Sequence, residues 1–206
     1  MRGLLRWYER NRRDLPWRRT KEPYRILVSE IMLHQTQVSR VIPKYREFLR
    51  AYPSLRTLAK APLREVREAW YPLGYNVRPV RLHAIARTAV RRYKGRLPKT
   101  AEELLRLKGI GRYTAAAVMT FAYDRPQAIL DTNVRRVLRR VFYRDGSVPD
   151  RTLWALAASL LPVRQGYDFN QALMDFGATV CTARAPGCAA CPLRSVCTTF
   201  PHPASK

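Results

Sequence analysis

Apolar residues recur along this chain at three- and four-residue intervals rather than at every second position. Over 38–52, Val38, Val41, Ile42, Tyr45, Phe48, Leu49 and Tyr52 fall on one face, the pattern of an amphipathic helix. Pro62 predicts the start of a further helix at a first-turn position, with Leu63, Val66 and Trp70 facing inward. Residues 79–93 repeat the period through Leu82, Ile85, Ala86, Ala89, Val90 and Tyr93. Thr100 and Glu103 have capping-box spacing ahead of Leu104, Leu105 and Leu107. Val134, Val137, Leu138, Val141 and Phe142, then Leu153, Leu156, Leu160 and Leu161, carry the same signature. No segment of any length alternates with period two. The pattern predicts an all-α fold of about nine or ten helices, with no internal repeat or low-complexity linker.

Composition adds a class and a partner. A 47% hydrophobic fraction with 4 Trp, 11 Tyr and 6 Phe offsets ordering entropy and excludes disorder. The 206 residues allow one large domain or two small lobes. No stretch approaches the ~20 apolar residues of a membrane span, and the first residues carry charges where a signal peptide needs an apolar run. A soluble, intracellular protein with no membrane partner is expected. Lys and Arg number 39 against 15 Asp and Glu, a net charge of +24 spread along the whole chain. Such an excess points to a polyanion, most simply nucleic acid. An arginine-rich proteome would produce the same excess, and charge alone leaves both readings open.

Cys181, Cys188, Cys191 and Cys197 are spaced C-x6-C-x2-C-x5-C. Two disulfides suit a reducing compartment poorly. Zinc favours paired C-x-x-C knuckles, and only Cys188 and Cys191 form one. The longer outer spacings suit a larger inorganic core such as a [4Fe–4S] cluster, with zinc the alternative.

Between predicted helices lies Lys108-Gly109-Ile110-Gly111-Arg112. Two glycines around an apolar residue let the backbone turn sharply while Ile110 plugs the gap between the helices. They also leave amides uncovered at a helix N-terminus, where a phosphate can bind. A plain αα-turn with a glycine cap has the same letters, and the surrounding charge favours the phosphate reading.

The hairpin 107–118 (LKGIGRYTAAAV), then 126–137 (PQAILDTNVRRV) and the four-cysteine loop together resemble the helix-hairpin-helix DNA glycosylases of the endonuclease III superfamily. Stretches 14–18 (DLPWR), 29–38 (SEIMLHQTQV), 72–75 (PLGY) and 169–181 (FNQALMDFGATVC) are similar to its MutY-type adenine glycosylase branch. The resemblance covers about residues 7–200. It implies a two-lobed, all-α fold: a six-helix lobe over 21–131 holding the hairpin, and a lobe of 1–20 plus 132–206 carrying an iron–sulfur loop. It further implies a [4Fe–4S] cluster on the four cysteines. Double-stranded DNA with a mismatch or lesion would cross a cleft with Glu30 and Asp131 on opposite walls. The protein is expected to act as a monomer in the cytoplasm, at the nucleoid.

Breaking an N-glycosidic bond calls for a proton at the base and negative charge beside an oxocarbenium-like sugar, work for two carboxyl groups in different environments. Glu30 interrupts the apolar stripe of Ile26, Leu27 and Leu33, where desolvation raises a carboxyl pKa and suits a general acid. By resemblance it is the adenine-protonating glutamate. Asp131, ahead of Thr132-Asn133, reads as a helix N-cap. By resemblance it is the catalytic aspartate, with Asn133 helping to position the catalytic groups. Tyr113 stands where strand-cleaving relatives have a nucleophilic lysine, which implies a monofunctional enzyme that leaves an abasic site. Lys108 matches no family nucleophile and is expected at phosphate, with Gly109, Ile110 and Gly111. Gln35 matches the residue that enters the base stack, Thr36 its neighbour facing the opposite base, and Tyr75 an intercalating aromatic. Trp17, Arg18, Gln171 and Met174 match residues lining the adenine pocket, though Trp17 and Met174 read equally as core.

Two departures touch the mismatch-reading surface: His34 replaces a glutamine and Asn76 a tyrosine of the family pattern. The sequence ends soon after Cys197, so the protein is expected to lack the C-terminal domain with which MutY-type enzymes recognise 8-oxoguanine. Adenine opposite 8-oxoguanine or guanine is the expected substrate. Its length and Tyr113 are also similar to short glycosylases removing thymine or uracil opposite guanine, the alternative. A non-catalytic iron–sulfur DNA-binding protein is a third reading, disfavoured because binding alone needs neither Glu30 nor Asp131.

Overall fold

The computed structural model describes residues 2–74 and 77–201. Tyr75 and Asn76, both expected near the opposite base, lie outside the described residues. The described residues form α-helices and short 3-10 turns without a strand. In order, α1 (Arg2–Asn11) precedes a 3-10 turn (Pro16–Arg18), α2 (Pro23–Leu33), α3 (Val38–Ala51), α4 (Leu55–Lys60), α5 (Leu63–Trp70), α6 (Val77–Arg92), α7 (Ala101–Leu105) and α8 (Arg112–Phe121). Next come α9 (Thr132–Phe142), α10 (Asp150–Ser159), α11 (Gly166–Thr179) and the 3-10 turns Cys188–Ala190 and Arg194–Val196. The chain divides into two compact units, Leu15–Arg125 and Met1–Asp14 with Pro126–Lys206.

In the first unit, α2 is buried nearly all round, from Tyr24 and Ile26 through Met32. A helix with no polar face belongs at the centre of its unit, and α3, α6 and α8 pack against it. Pro23 occupies its first turn, and the Glu22 carboxylate accepts from the N–H groups of Tyr24 at 3.1 Å and Arg25 at 2.7 Å, satisfying two otherwise orphaned donors. The predicted face of α3 is inward at Val41, Tyr45 and Phe48. Pro62 sits one position earlier than expected, as the N-cap of α5 rather than within its first turn. The side chain of Thr100 accepts from the Glu103 N–H at 3.3 Å as predicted. Leu105, however, is 48% exposed, because α7 is little more than one turn long and presents only Leu104 to the core.

In the second unit, Val134, Val137, Leu138 and Val141 of α9 meet Leu153 of α10 and Phe169 of α11 in one apolar cluster. Trp7 of α1 packs edge-on against Phe176 of α11 at 5.5 Å. The N–H and Nε of Arg13 donate to the buried Asp175 carboxylate at 3.1 and 2.6 Å, tying the N-terminal segment to α11. Among the described residues no helix is long and apolar enough to cross a membrane.

Candidate active site

Glu30 lies in the C-terminal half of α2 and is 3% exposed. It is more enclosed than an interrupted stripe suggests, because α2 is buried on nearly every side. The Tyr113 hydroxyl, from the first turn of α8, donates to Glu30 Oε2 at 2.7 Å. The residue singled out for lacking an amine is therefore a direct partner of the candidate acid. His34, just past the end of α2, tilts its ring toward Tyr113 at 6.0 Å between centroids. Desolvation, then the charges of Arg78 and Arg81, hold its imidazole below its ordinary pKa.

Gln35 and Thr36 line a cavity whose other wall includes Pro72 and Gly74. Gln35 has φ +55, a left-handed conformation uncommon for a residue with a Cβ. Trp17 is buried, edge-on to Tyr45 at 5.4 Å, and Arg18 beside it is half-buried. In the hairpin, Gly109 makes the turn alone: its φ is +107, and a Cβ there would stand 3.1 Å from Arg81 Cβ. Gly111 is extended, with φ −96, and nothing stands within 4 Å of the place of its Cβ. This corrects the expectation that both glycines turn the backbone. What Gly111 provides is an N-cap without a side chain, which leaves the first amides of α8 uncovered. Ile110 is buried as expected, and Lys108 is exposed.

In the other unit, Asp131 is the N-cap of α9, its Oδ1 accepting from the Val134 N–H at 2.6 Å. Asn133 Nδ2 donates to Asp131 Oδ2 at 3.2 Å, and Asn133 Oδ1 accepts from Arg136 at 2.8 Å. Arg136 also donates from Nε to the Cys181 carbonyl at 2.8 Å. A continuous polar chain thus links the candidate aspartate to the backbone of the first cysteine. Desolvation pushes the Asp131 carboxyl above its ordinary pKa, against the bonds from Val134 and Asn133 and the charge of Arg136. Close packing fixes the same region: a Cβ on Gly177 of α11 would fall 2.8 Å from Asn133 Cβ. Gln171 is buried on α11, and Met174 packs partly buried against the apolar cluster.

The four cysteines are free and half-buried, and all line one cavity together with Arg140 and Phe176. The buried Arg140 reaches Cys181 Sγ at 3.7 Å and donates to the Thr182 and Ala183 carbonyls at 2.7 and 3.0 Å. The Leu193 N–H points at Cys191 Sγ from 3.4 Å. Burial pushes the Cys181 and Cys191 thiols above their ordinary pKa, and the donors aimed at their sulfurs, from Arg140 and from the Leu193 N–H, pull the other way.

Residues 28–160 match the HhH-GPD superfamily base excision DNA repair protein family. The chain belongs to this superfamily. The adenine DNA glycosylase of Homo sapiens is 46% identical to it over 210 residues, covering 95% of this chain and 38% of the human protein. That of Mycolicibacterium smegmatis is 46% identical over 193 residues, covering 92% and 66%. The chain therefore spans about two fifths of the human relative. Among solved structures, a thermostable thymine-DNA glycosylase superposes with a TM-score of 0.91 at 35% identity, covering 97% of this chain and 94% of that one. A non-covalent endonuclease III–DNA complex superposes at 0.84 with 22% identity, covering 96% and 92%, a likeness of fold alone.

Sequence reasoning about this HhH-GPD chain passed over three of the polar residues described above or beside them. Arg136 stands one helical turn from Asn133, a spacing that could have paired them. Arg140 falls on the apolar side of α9, a buried position for a charged residue. Asn170, 1% exposed, donates to the Gln127 and Gly166 carbonyls at 3.0 and 2.8 Å and accepts from the Ile129 N–H at 3.1 Å, pinning the segment that leads to Asp131. Its signal was a polar residue among Phe169, Ala172 and Leu173.

Proposed function

We propose that this HhH-GPD chain is a monofunctional DNA glycosylase that hydrolyses the N-glycosidic bond of adenine opposite 8-oxoguanine or guanine. The observation that carries the reading is the buried Glu30 carboxyl held by the Tyr113 hydroxyl at 2.7 Å. Glu30 protonates the base, the C1′–N9 bond breaks, and its electron pair leaves with the base. Asp131 stabilises the positive charge that develops on the sugar. Water then adds to C1′ and loses its proton, so nucleotide and water become abasic sugar and free base. Tyr113 orients Glu30 and, being a phenol, forms no Schiff base, so the strand stays intact. Gln35 enters the duplex where the base leaves it and Thr36 faces the opposite base, and the open N-terminus of α8 with Lys108 binds backbone phosphate. The adenine glycosylase relatives at 46% identity support adenine.

A second reading is supported by the 35% identity to the thymine-DNA glycosylase. One experiment separates the two. Duplexes carrying A·8-oxoG, A·G, T·G and U·G, incubated under single-turnover conditions and then treated with alkali, are expected to be cut at the adenines, with no borohydride-trapped adduct. Rapid loss of T and U with intact adenine strands would establish the pyrimidine reading instead. The place of action is the DNA-bearing cytoplasm.

In the same reading Cys181, Cys188, Cys191 and Cys197 would hold a [4Fe–4S] cluster. The fit rests on four cysteines lining one cavity and on the chemistry of an all-thiol donor set. When bound, the cluster supplies four cross-links to the loop 181–197. Protein prepared anaerobically is expected to carry about four iron atoms per chain and to absorb broadly in the blue. Stoichiometric zinc without iron would replace this assignment.

A further inference from the structure

Arg78 is 4% exposed, in the first turn of α6, and its guanidinium spans two loops. Nη1 donates to the carbonyls of Met32 at 2.8 Å and His34 at 2.6 Å and to the Thr36 hydroxyl at 3.0 Å. Nη2 donates to the carbonyls of Leu73 at 2.7 Å and Gly74 at 3.1 Å. The same group lies over the Trp70 ring, 5.6 Å from its centroid. The first set of bonds closes the C-terminus of α2, whose own last turn has no basic residue. The second holds a turn in which Gly74 has φ +71.

These two segments are the walls of the cavity lined by Gln35, Thr36, Pro72 and Gly74. A second arginine, Arg40, also lines it and crosses it from the outside, donating to the Pro72 carbonyl at 2.9 Å. Gln35 projects from the first wall with φ +55, a conformation that persists where the surroundings impose it.

We infer that Arg78 is a positioning residue that presets the Gln35 wedge in the free protein, by locking residues 32–36 and 73–74 into one cradle for the base opposite the excised one. The inference rests on the reading of the chain as a base-extruding glycosylase. Arg78 acts through Gln35 and Thr36 and does not itself touch DNA. Only a planar fork of donors serves two loops at once; an ammonium at the same place is a single point of charge. A cradle ordered on folding has no ordering entropy to lose when the duplex binds, which favours extrusion over simple association.

The test uses Arg78→Lys in two measurements. In the DNA-free protein, hydrogen exchange at the amides of 33–37 and of Leu73 and Gly74 is expected to rise together, by roughly tenfold. A rise in one segment alone, or in neither, overturns the inference, because a plain cap on α2 would loosen only the first. In a double-mutant cycle with Gln35→Ala, the single-turnover excision rate at saturating enzyme is expected to fall roughly thirtyfold in the wild-type background. In the Gln35→Ala background it should fall less than about threefold. Equal slowing in both backgrounds overturns the inference. Wild-type protein that leaves adenine intact but cuts another mismatch refutes the substrate reading alone, and the cycle is then read on that mismatch. If it cuts none, the exchange measurement decides by itself. Should Arg78→Lys not fold, Thr36→Val, which removes one acceptor of Nη1, is expected to give the same paired loosening on a smaller scale, and no loosening overturns the inference.

Discussion

Glu30→Gln is expected to slow adenine excision by ~10²–10⁴-fold, the usual contribution of a positioned general acid, while duplex affinity changes by less than about threefold. The substitution is nearly isosteric, and the amide oxygen still accepts the Tyr113 hydroxyl bond found at 2.7 Å. The apolar packing of α2 is therefore kept and only the transferable proton is lost. Tyr113→Phe leaves the acid in place but removes one hydrogen bond, so it should cost about tenfold. Single-turnover rates at saturating enzyme, with fluorescence anisotropy for binding, measure both. A Glu30→Gln rate close to wild type would take the acid role from Glu30 and leave it a buried structural carboxyl.

The helices with contrasting faces were legible in the sequence. α3, α6 and α9 alternate inward and outward residues over several turns, and periodicity reads such contrast directly. α2 and α8 were reached through motifs rather than through period, because residues buried on all sides leave no polar face to mark the turn. α4 spans only Leu55–Lys60, too short for a periodic signal, and it is fixed by the reciprocal cap between Ser54 and Thr57. The burial of Glu30 and the N-cap place of Asp131 were likewise legible from their settings. Their partners were not. Tyr113 lies far from Glu30 in sequence, and Asn170 meets Gln127 and Ile129 across a loop. The bonds of Arg78 to the 32–36 and 73–74 segments follow no local spacing. Long-range polar contacts arise from packing geometry, which a one-dimensional pattern does not carry.

Asp131→Asn is expected to reduce excision by ~10²–10³-fold, the size of loss seen when one preorganised electrostatic group is removed from a developing charge. Asparagine is as good an N-cap as aspartate, so the bond from the Val134 N–H, found at 2.6 Å, survives and α9 remains formed. The pH dependence distinguishes this loss from structural damage. In the proposed mechanism Asp131 must be ionised to stabilise the sugar, and desolvation holds its pKa above the ordinary value. The acid limb of the rate therefore lies higher than for a solvated aspartate, with the rate rising as the carboxyl ionises. Arg136 pulls in the opposite direction, through its charge and through Asn133. Arg136→Gln should accordingly move the acid limb to higher pH, with the rate recovering toward wild type above it. The stability linkage runs the other way. A carboxyl whose folded pKa is raised contributes stability below its unfolded pKa and loses it as pH rises through the folded one, so Asp131→Asn should flatten that part of the stability profile. If Arg136→Gln lowers the rate by one factor at every pH, the arginine supports the fold and does not tune the aspartate.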